Sequence, residues 1–148
     1  MFVVDTNVLI YAVDDAADEQ ETCRALLEHW RRQATPWYLT WGIVYEFLRV
    51  VTHRRVLRRP RTIEEAWGVI AAVLAAPSCG LLVATPRHAD ILAEIIGEEQ
   101  GLAGNLLHDT HTAALMHEHG VRRIITRDAD FHRFPSLEVV DPFALPRP

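Results

Sequence analysis

Short runs of β-branched and apolar residues alternate with longer helix-like stretches along the chain. That alternation restricts the possible folds more than any single residue does. Phe2-Val3-Val4, Trp37-Tyr38-Leu39-Thr40, Leu81-Leu82-Val83-Ala84, Arg123-Ile124-Ile125-Thr126 and Leu137-Glu138-Val139-Val140 read as strands. Between them, Asn7 to Val13 reads as a short apolar helix, and about Ala17 to Arg32 as a second with Cys23, Leu26, Leu27 and Trp30 on one stripe. Ile43, Val44, Phe47, Leu48 and Val51 form the next stripe. Thr62 and Glu65 make a capping-box signature for a helix carrying Ile63, Trp67, Ile70 and Leu74 and ending near Pro77. Thr85-Pro86 opens a helix through Ile91, Leu92, Ile95 and Ile96 to Gly101. Asn105 to His119 is helical, with Gly120 as its stop. Strands regularly separated by helices imply an α/β fold with a mostly parallel central sheet.

Length and composition then narrow the chemistry. The 148 residues suit one domain, and 49% hydrophobic with 24% charged residues suits a globular chain rather than a disordered one. No apolar run approaches the roughly 18 residues of a membrane helix, so no membrane partner is expected. All 15 basic residues are arginine, which excludes chemistry that needs lysine: a P-loop, a pyridoxal Schiff base or a phosphoacceptor receiver site. A net charge of -5 argues against gripping nucleic acid by bulk charge alone. Cys23 and Cys79 are too few for a disulfide framework and wrongly spaced for zinc. Met1 to Asp5 has no basic signal region, so a cytoplasmic location is expected.

Two carboxylates stand out by what precedes them: Asp5 follows the first strand, and Asp128 follows Arg123 to Thr126. In parallel α/β sheets ligands bind beyond the carboxyl ends of strands, so the two acids are placed to face one crevice. A helix N-cap is the plainer alternative for each. Asp109, early in the helix from Asn105, is a third candidate, with small Thr112 and Ala113 one turn on leaving space beside it. Glu46 flanks an apolar stripe and has a bland reading as a surface ion pair with Arg49. Asp130 lies two residues after Asp128, close enough for both to reach one hard cation such as Mg²⁺. Of the 8 histidines, none sits in a His-x-x-x-His zinc frame; His108 and His111 flank Asp109 and are placed near the site. The run His53 to Arg61 holds five arginines, either a phosphate contact or a solvated connection between helices.

Together these segments resemble the PIN-domain ribonucleases, and within them the VapC toxins of bacterial VapBC toxin–antitoxin pairs. The resemblance runs from Phe2-Val3-Val4-Asp5-Thr6-Asn7-Val8-Leu9 to Pro142. It takes in Glu46 within Val44 to Arg49, Asp109 within Gly104 to Gly120, and the closing Thr126-Arg127-Asp128-Ala129-Asp130-Phe131. Thr110 departs from the alanine more usual after the third acid. The resemblance implies a three-layer α/β/α sandwich, with residues 1–142 as a single PIN domain and 143–148 as a C-terminal tail. It further implies dependence on Mg²⁺ or Mn²⁺, RNA as substrate, homodimers and an inhibiting VapB-type antitoxin. Asp5, Glu46, Asp109 and Asp128 would be the catalytic, metal-holding acids, with Asp130 assisting through water and Asn7 and Thr126 orienting carboxylates. The apolar and arginine surface near residues 47–61 is the expected antitoxin face.

Three other readings remain. A structure-specific nuclease outside any toxin–antitoxin pair shares the same pocket. A haloacid-dehalogenase-like phosphatase also begins with a strand-end Asp, but it needs an acid where Asn7 stands and usually a late lysine. A non-catalytic binding module would use the acids only as caps.

Overall fold

The computed structural model describes residues 1–146. Among them the strands are β1 (Val3–Val4), β2 (Trp37–Thr40), β3 (Cys79–Leu82), β4 (Arg123–Ile125) and β5 (Glu138–Val140). The α-helices are α1 (Thr6–Val13), α2 (Gln20–Arg32), α3 (Trp41–Val51), α4 (Ile63–Leu74), α5 (His88–Glu98) and α6 (Leu106–Glu118). One sheet runs β3-β2-β1-β4-β5, and every neighbouring pair is parallel. Right-handed crossovers then place α1 to α4 on one face and α5 and α6 on the other. This is the three-layer α/β/α arrangement expected from the sequence.

β1 sits in the middle because both of its residues are wholly buried, Val3 and Val4 at 0% exposure. The chain steps from β1 outward to β2 and β3, then returns to lay β4 on the other flank of β1. The carboxyl ends of β1 and β4 therefore border the topological switch point, where a crevice opens in sheets of this kind. At the opposite, amino-terminal ends of the strands the rings of Phe2, Trp30 and Trp37 pack together. The buried Trp37 indole Nε1 donates to the Trp30 carbonyl (3.0 Å) and to Ser78 Oγ (3.2 Å), so its one polar atom is satisfied in the interior.

The capping box at Thr62 is present in both directions: Glu65 N–H donates to Thr62 Oγ1 (3.2 Å) and Thr62 N–H donates to Glu65 Oε2 (2.9 Å). Other local details differ from the sequence reading. The strand expected at Leu81 to Ala84 begins two residues earlier, where Cys79 pairs with Trp37. It is an edge strand in which only Leu82 is buried, and edge placement depends on strand order rather than on local composition. The helix expected at Pro86 begins at His88, because Thr85 is drawn out of helical bonding: its N–H donates to buried Glu118 (2.6 Å) and its Oγ1 accepts from Arg87 N–H (3.2 Å). Helix α4 buries Ala66, Ile70 and Val73, leaving Ile63 and Trp67 about half exposed. Of the expected stripe Ile70 and Leu74 pack inward, joined by Ala66 and Val73, while Ile63 and Trp67 turn toward solvent. Thr112 and Ala113 are buried in the packing of α6 rather than open beside Asp109. Pro142–Ala144, where the expected tail begins, forms a 3-10 turn with Pro142 buried. The last two residues of the tail, 147 and 148, lie outside the described residues.

Phe47, fully buried on α3, ties that helix to the core directly beside Glu46. Phe47→Ala should lower unfolding stability by about 3–5 kcal/mol in a denaturant titration, whereas Thr62→Ala at the exposed cap should lower it by about 1 kcal/mol.

Candidate active site

A single residue, Asp5, separates the end of β1 from the start of α1, so it is both the last extended residue and the N-cap of α1. One oxygen, Oδ1, accepts from Thr6 N–H (2.7 Å). The other, Oδ2, accepts from Asn7 Nδ2 (2.7 Å) and Thr126 Oγ1 (2.6 Å). Capping and site formation are thus carried by different oxygens of one carboxylate. Asp128 repeats the arrangement at the end of β4: it caps the 3-10 turn Ala129–Arg133 by accepting from Asp130 N–H (2.9 Å).

Thr126 is the joint between the two strand ends. Buried at 1% exposure, its hydroxyl donates to Asp5 and accepts from Asn7 Nδ2 (2.8 Å) and from Asp128 N–H (2.9 Å). Asn7 completes the link by accepting from Arg127 N–H (3.4 Å). From α3, Glu46 accepts from Thr6 Oγ1 (3.0 Å) through one oxygen and from Arg49 (3.3 Å) through the other. The surface ion pair and the site placement of Glu46 are therefore both real. From α6, Asp109 brings an oxygen into a group with Asp128 and Asp130 in which one oxygen from each lies within 4.8 Å of the others.

These side chains line one depression of about 260 Å³, which takes in Asp5, Asn7, Glu46, Asp109, Asp128 and Asp130. Thr126 lies behind it. Four separate segments, spread over more than 120 residues of sequence, supply the acids. His108 lines the depression, but His111 does not; its ring lies edge-on to His88, 5.4 Å between centroids. Sequence reasoning missed Thr6 and Asn105. Thr6 carried no signal because its partner Glu46 is forty positions away. Of the apolar residues around 47–61, Phe47, Val51 and Leu57 are buried, and Val56 is the large exposed one. The surface expected there is therefore mainly arginine rather than apolar and arginine.

The electrostatics show a concentration of like charge. Burial pushes the Asp5 carboxyl up to about 6 against the lowering pull of its bonds from Thr126 and Thr6, with Asp128 and Glu46 adding repulsion. Desolvation first, and then repulsion from the neighbouring Asp128, Asp5, Glu46 and Asp130, together push Asp109 up to about 7. Hard oxygen donors with excess negative charge fit a divalent cation such as Mg²⁺ or Mn²⁺.

A carboxyl whose pKa is raised on folding destabilises the fold as it ionises. For Asp109 that penalty is absent below about 4, grows as pH rises, and is complete above about 7. In chelator, Asp109→Asn should therefore melt higher than the parent protein at pH 8, and the gap should close toward pH 4.5. Thermal scans at the two pH values measure it; a gap of the same size at both would refute the charge account.

A family model described as the PIN domain matches residues 2–137. Ribonuclease VapC37 of Mycobacterium tuberculosis is 37% identical over 145 residues, covering 98% of this chain and 99% of its own length. Two solved structures share the fold at low identity. One is VapC20 of Mycobacterium tuberculosis, described as a sarcin-ricin loop cleaving toxin, with a TM-score of 0.64 and 15% identity over 89% of this chain and 93% of that chain. The other is VapBC2 from Rickettsia felis bound to a DNA fragment from their promoter, with a TM-score of 0.65 and 14% identity over 93% of this chain and 96% of that chain. A domain model spanning nearly the whole chain and a relative 37% identical along its full length lead to one conclusion: the chain belongs to the PIN-domain family, in its VapC branch.

Proposed function

We propose that this protein is a Mg²⁺- or Mn²⁺-dependent endoribonuclease, the toxin of a toxin–antitoxin pair, acting in the cytoplasm and inhibited by a VapB-type antitoxin. The observation that carries the reading is the convergence of Asp5, Glu46, Asp109, Asp128 and Asp130 on one depression at the switch point of a VapC-branch fold. The name of the relative VapC37, a ribonuclease, and the VapBC2 complex as a structural neighbour support substrate and partner. On this reading residues 1–142 act as one domain, 143–148 are a tail, and the protein works as a homodimer.

Asp5, Glu46, Asp109 and Asp128 would hold the metal, with Asp130 contributing through water. When bound, the ion polarises the scissile phosphate, offsets its developing charge and lowers the pKa of the attacking water. The chain's own groups set up that event. Thr126 and Asn7 hold Asp5 Oδ2, which leaves the carboxylate no freedom to rotate away from the depression. Thr6 holds Glu46 in the same way across the α1–α3 gap. Asp128 is fixed by its own cap bond, so its orientation is set by the backbone of the following turn. The water oxygen bonds to phosphorus as the P–O3′ bond breaks, and the proton it sheds ends on the leaving O3′. The products are a 5′-phosphate and a 3′-hydroxyl.

Asp5→Asn or Asp109→Asn should abolish RNA cleavage in Mg²⁺. Thr126→Val, which removes a donor to Asp5 without touching the pocket lining, should cost about 10–100-fold in metal affinity or activity. Full activity in either Asp variant rules out the site assignment. Expression of the protein alone should slow bacterial growth, and unimpeded growth would count against the toxin role.

A further inference from the structure

The sequence places five arginines between residues 54 and 61, and the acidic depression uses none of them. They lie in the connection from α3 to α4, and that connection is anchored. Leu57 is buried at 8% exposure. Arg61 N–H donates to the Val51 carbonyl (2.9 Å), and its guanidinium donates to the Val13 carbonyl (2.6 Å). Val56 N–H donates to the His53 carbonyl (3.0 Å). The capping box at Thr62 fixes the far end.

Arg54, Arg55, Arg58 and Arg59 are exposed, and among the described residues their side chains make no ion pair or hydrogen bond. By contrast, Arg31, Arg32, Arg123 and Arg127 are paired with carboxylates. Three acids border Arg58 and Arg59 in a depression of about 480 Å³, but each has a partner of its own. Asp14 accepts from Ala16 N–H, Asp15 from Gln20, and Glu65 from Thr62 N–H. The four guanidiniums are therefore carried on an anchored loop with no bonded partner among the described residues, although Asp14, Asp15 and Glu65 lie near Arg58 and Arg59.

Their position relative to the acids is set by α3. Glu46 faces the depression, and Arg49, one turn on, is bonded to it at 3.3 Å. At ~1.5 Å per residue, the end of α3 at Val51 lies about 7.5 Å further along the axis than Glu46. The loop therefore leaves α3 less than two helical turns beyond the residue that faces the depression.

We propose that Arg54, Arg55, Arg58 and Arg59 form a phosphate-binding track that holds the RNA strand flanking the cleaved bond. The inference rests on the ribonuclease reading above. An RNA strand brought to five carboxylates meets repulsion at the depression, and compensating charge must lie alongside it. Guanidinium forks match phosphate oxygens bidentately, which suits a backbone contact that reads no sequence.

The test uses the full-length protein carrying Arg54→Gln, Arg55→Gln, Arg58→Gln and Arg59→Gln. These positions are exposed, so an unchanged melting temperature is expected. Binding of a fluorescein-labelled single-stranded RNA of about 20 nucleotides is followed by anisotropy between ~50 and ~200 mM salt, both forms also carrying Asp109→Asn to prevent cleavage. At about 0.7 per phosphate contact, the slope of log affinity against log salt should become shallower by roughly 3. Without Asp109→Asn, the fourfold variant should lose kcat/KM on the long RNA and cleave a dinucleotide, too short to reach the loop, as the parent does. An unchanged salt slope overturns the track. Equal loss on the dinucleotide also overturns it, because the arginines would then support the fold or the pocket instead. Unchanged RNA binding with weakened binding of an acidic antitoxin peptide overturns it in favour of a protein-docking surface. A shallower slope in a protein that cleaves no RNA supports the track and refutes the ribonuclease reading separately.

Discussion

A single buried carboxylate organises this molecule. Asp5 is held at the junction of β1, α1 and β4 by three donors: the Thr6 amide, the Asn7 amide group and the Thr126 hydroxyl. Burying an unpaired charge is unfavourable, and those three bonds are what make its position tolerable. The same bonds fix the geometry around it. Thr126 also takes the Asp128 amide, and Asn7 takes the Arg127 amide, so the loop after β4 is aligned to the end of β1 by side chains rather than by strand pairing alone. The carboxyl is nevertheless pushed up to about 6, so hydrogen bonding does not fully offset the desolvation and the neighbouring acids.

That residual imbalance is where fold and chemistry meet. A set of carboxylates built for stability alone would be spread apart or paired with arginine. Here several arginines are paired elsewhere, as Arg123 is with Glu138 and Arg127 with Glu19, and four more lie exposed on the α3–α4 connection. Among the described residues, Arg49 is the one arginine that reaches one of these acids, and it does so on Glu46. An acidic depression and an arginine-rich loop thus stand at different places, joined by α3. A net charge of -5 says nothing of this separation.

Much of the fold was legible because its determinants are local. The runs Phe2 to Val4, Trp37 to Thr40 and Arg123 to Thr126 announce strands by apolar continuity, and Thr62 with Glu65 announces a helix start by a bond between near neighbours. The misreadings share one cause. Leu81 to Ala84 has the composition of a central strand but sits at the sheet edge, and the large residues Ile63 and Trp67 of α4 face outward while Ala66 and Ile70 pack. Strand order and the choice of packing face are decided by partners distant in sequence, which local periodicity does not encode.

The site divides along the same line. Asp5 and Asp128 were recognisable from sequence alone, because a carboxylate just after an apolar strand is positioned by the strand itself. Asp130 followed from its two-residue spacing, and the order of all the acids carried the family resemblance. Tertiary structure alone decided that Glu46 and Asp109 share their depression, that Thr6 holds Glu46, and that His111 turns away while His108 turns in. It also decided which arginines are paired with carboxylates. Sequence sets the identity and local backbone of each group, but the distance between groups on α3, α6 and two strand ends follows from packing. That packing is a property of the whole chain at once.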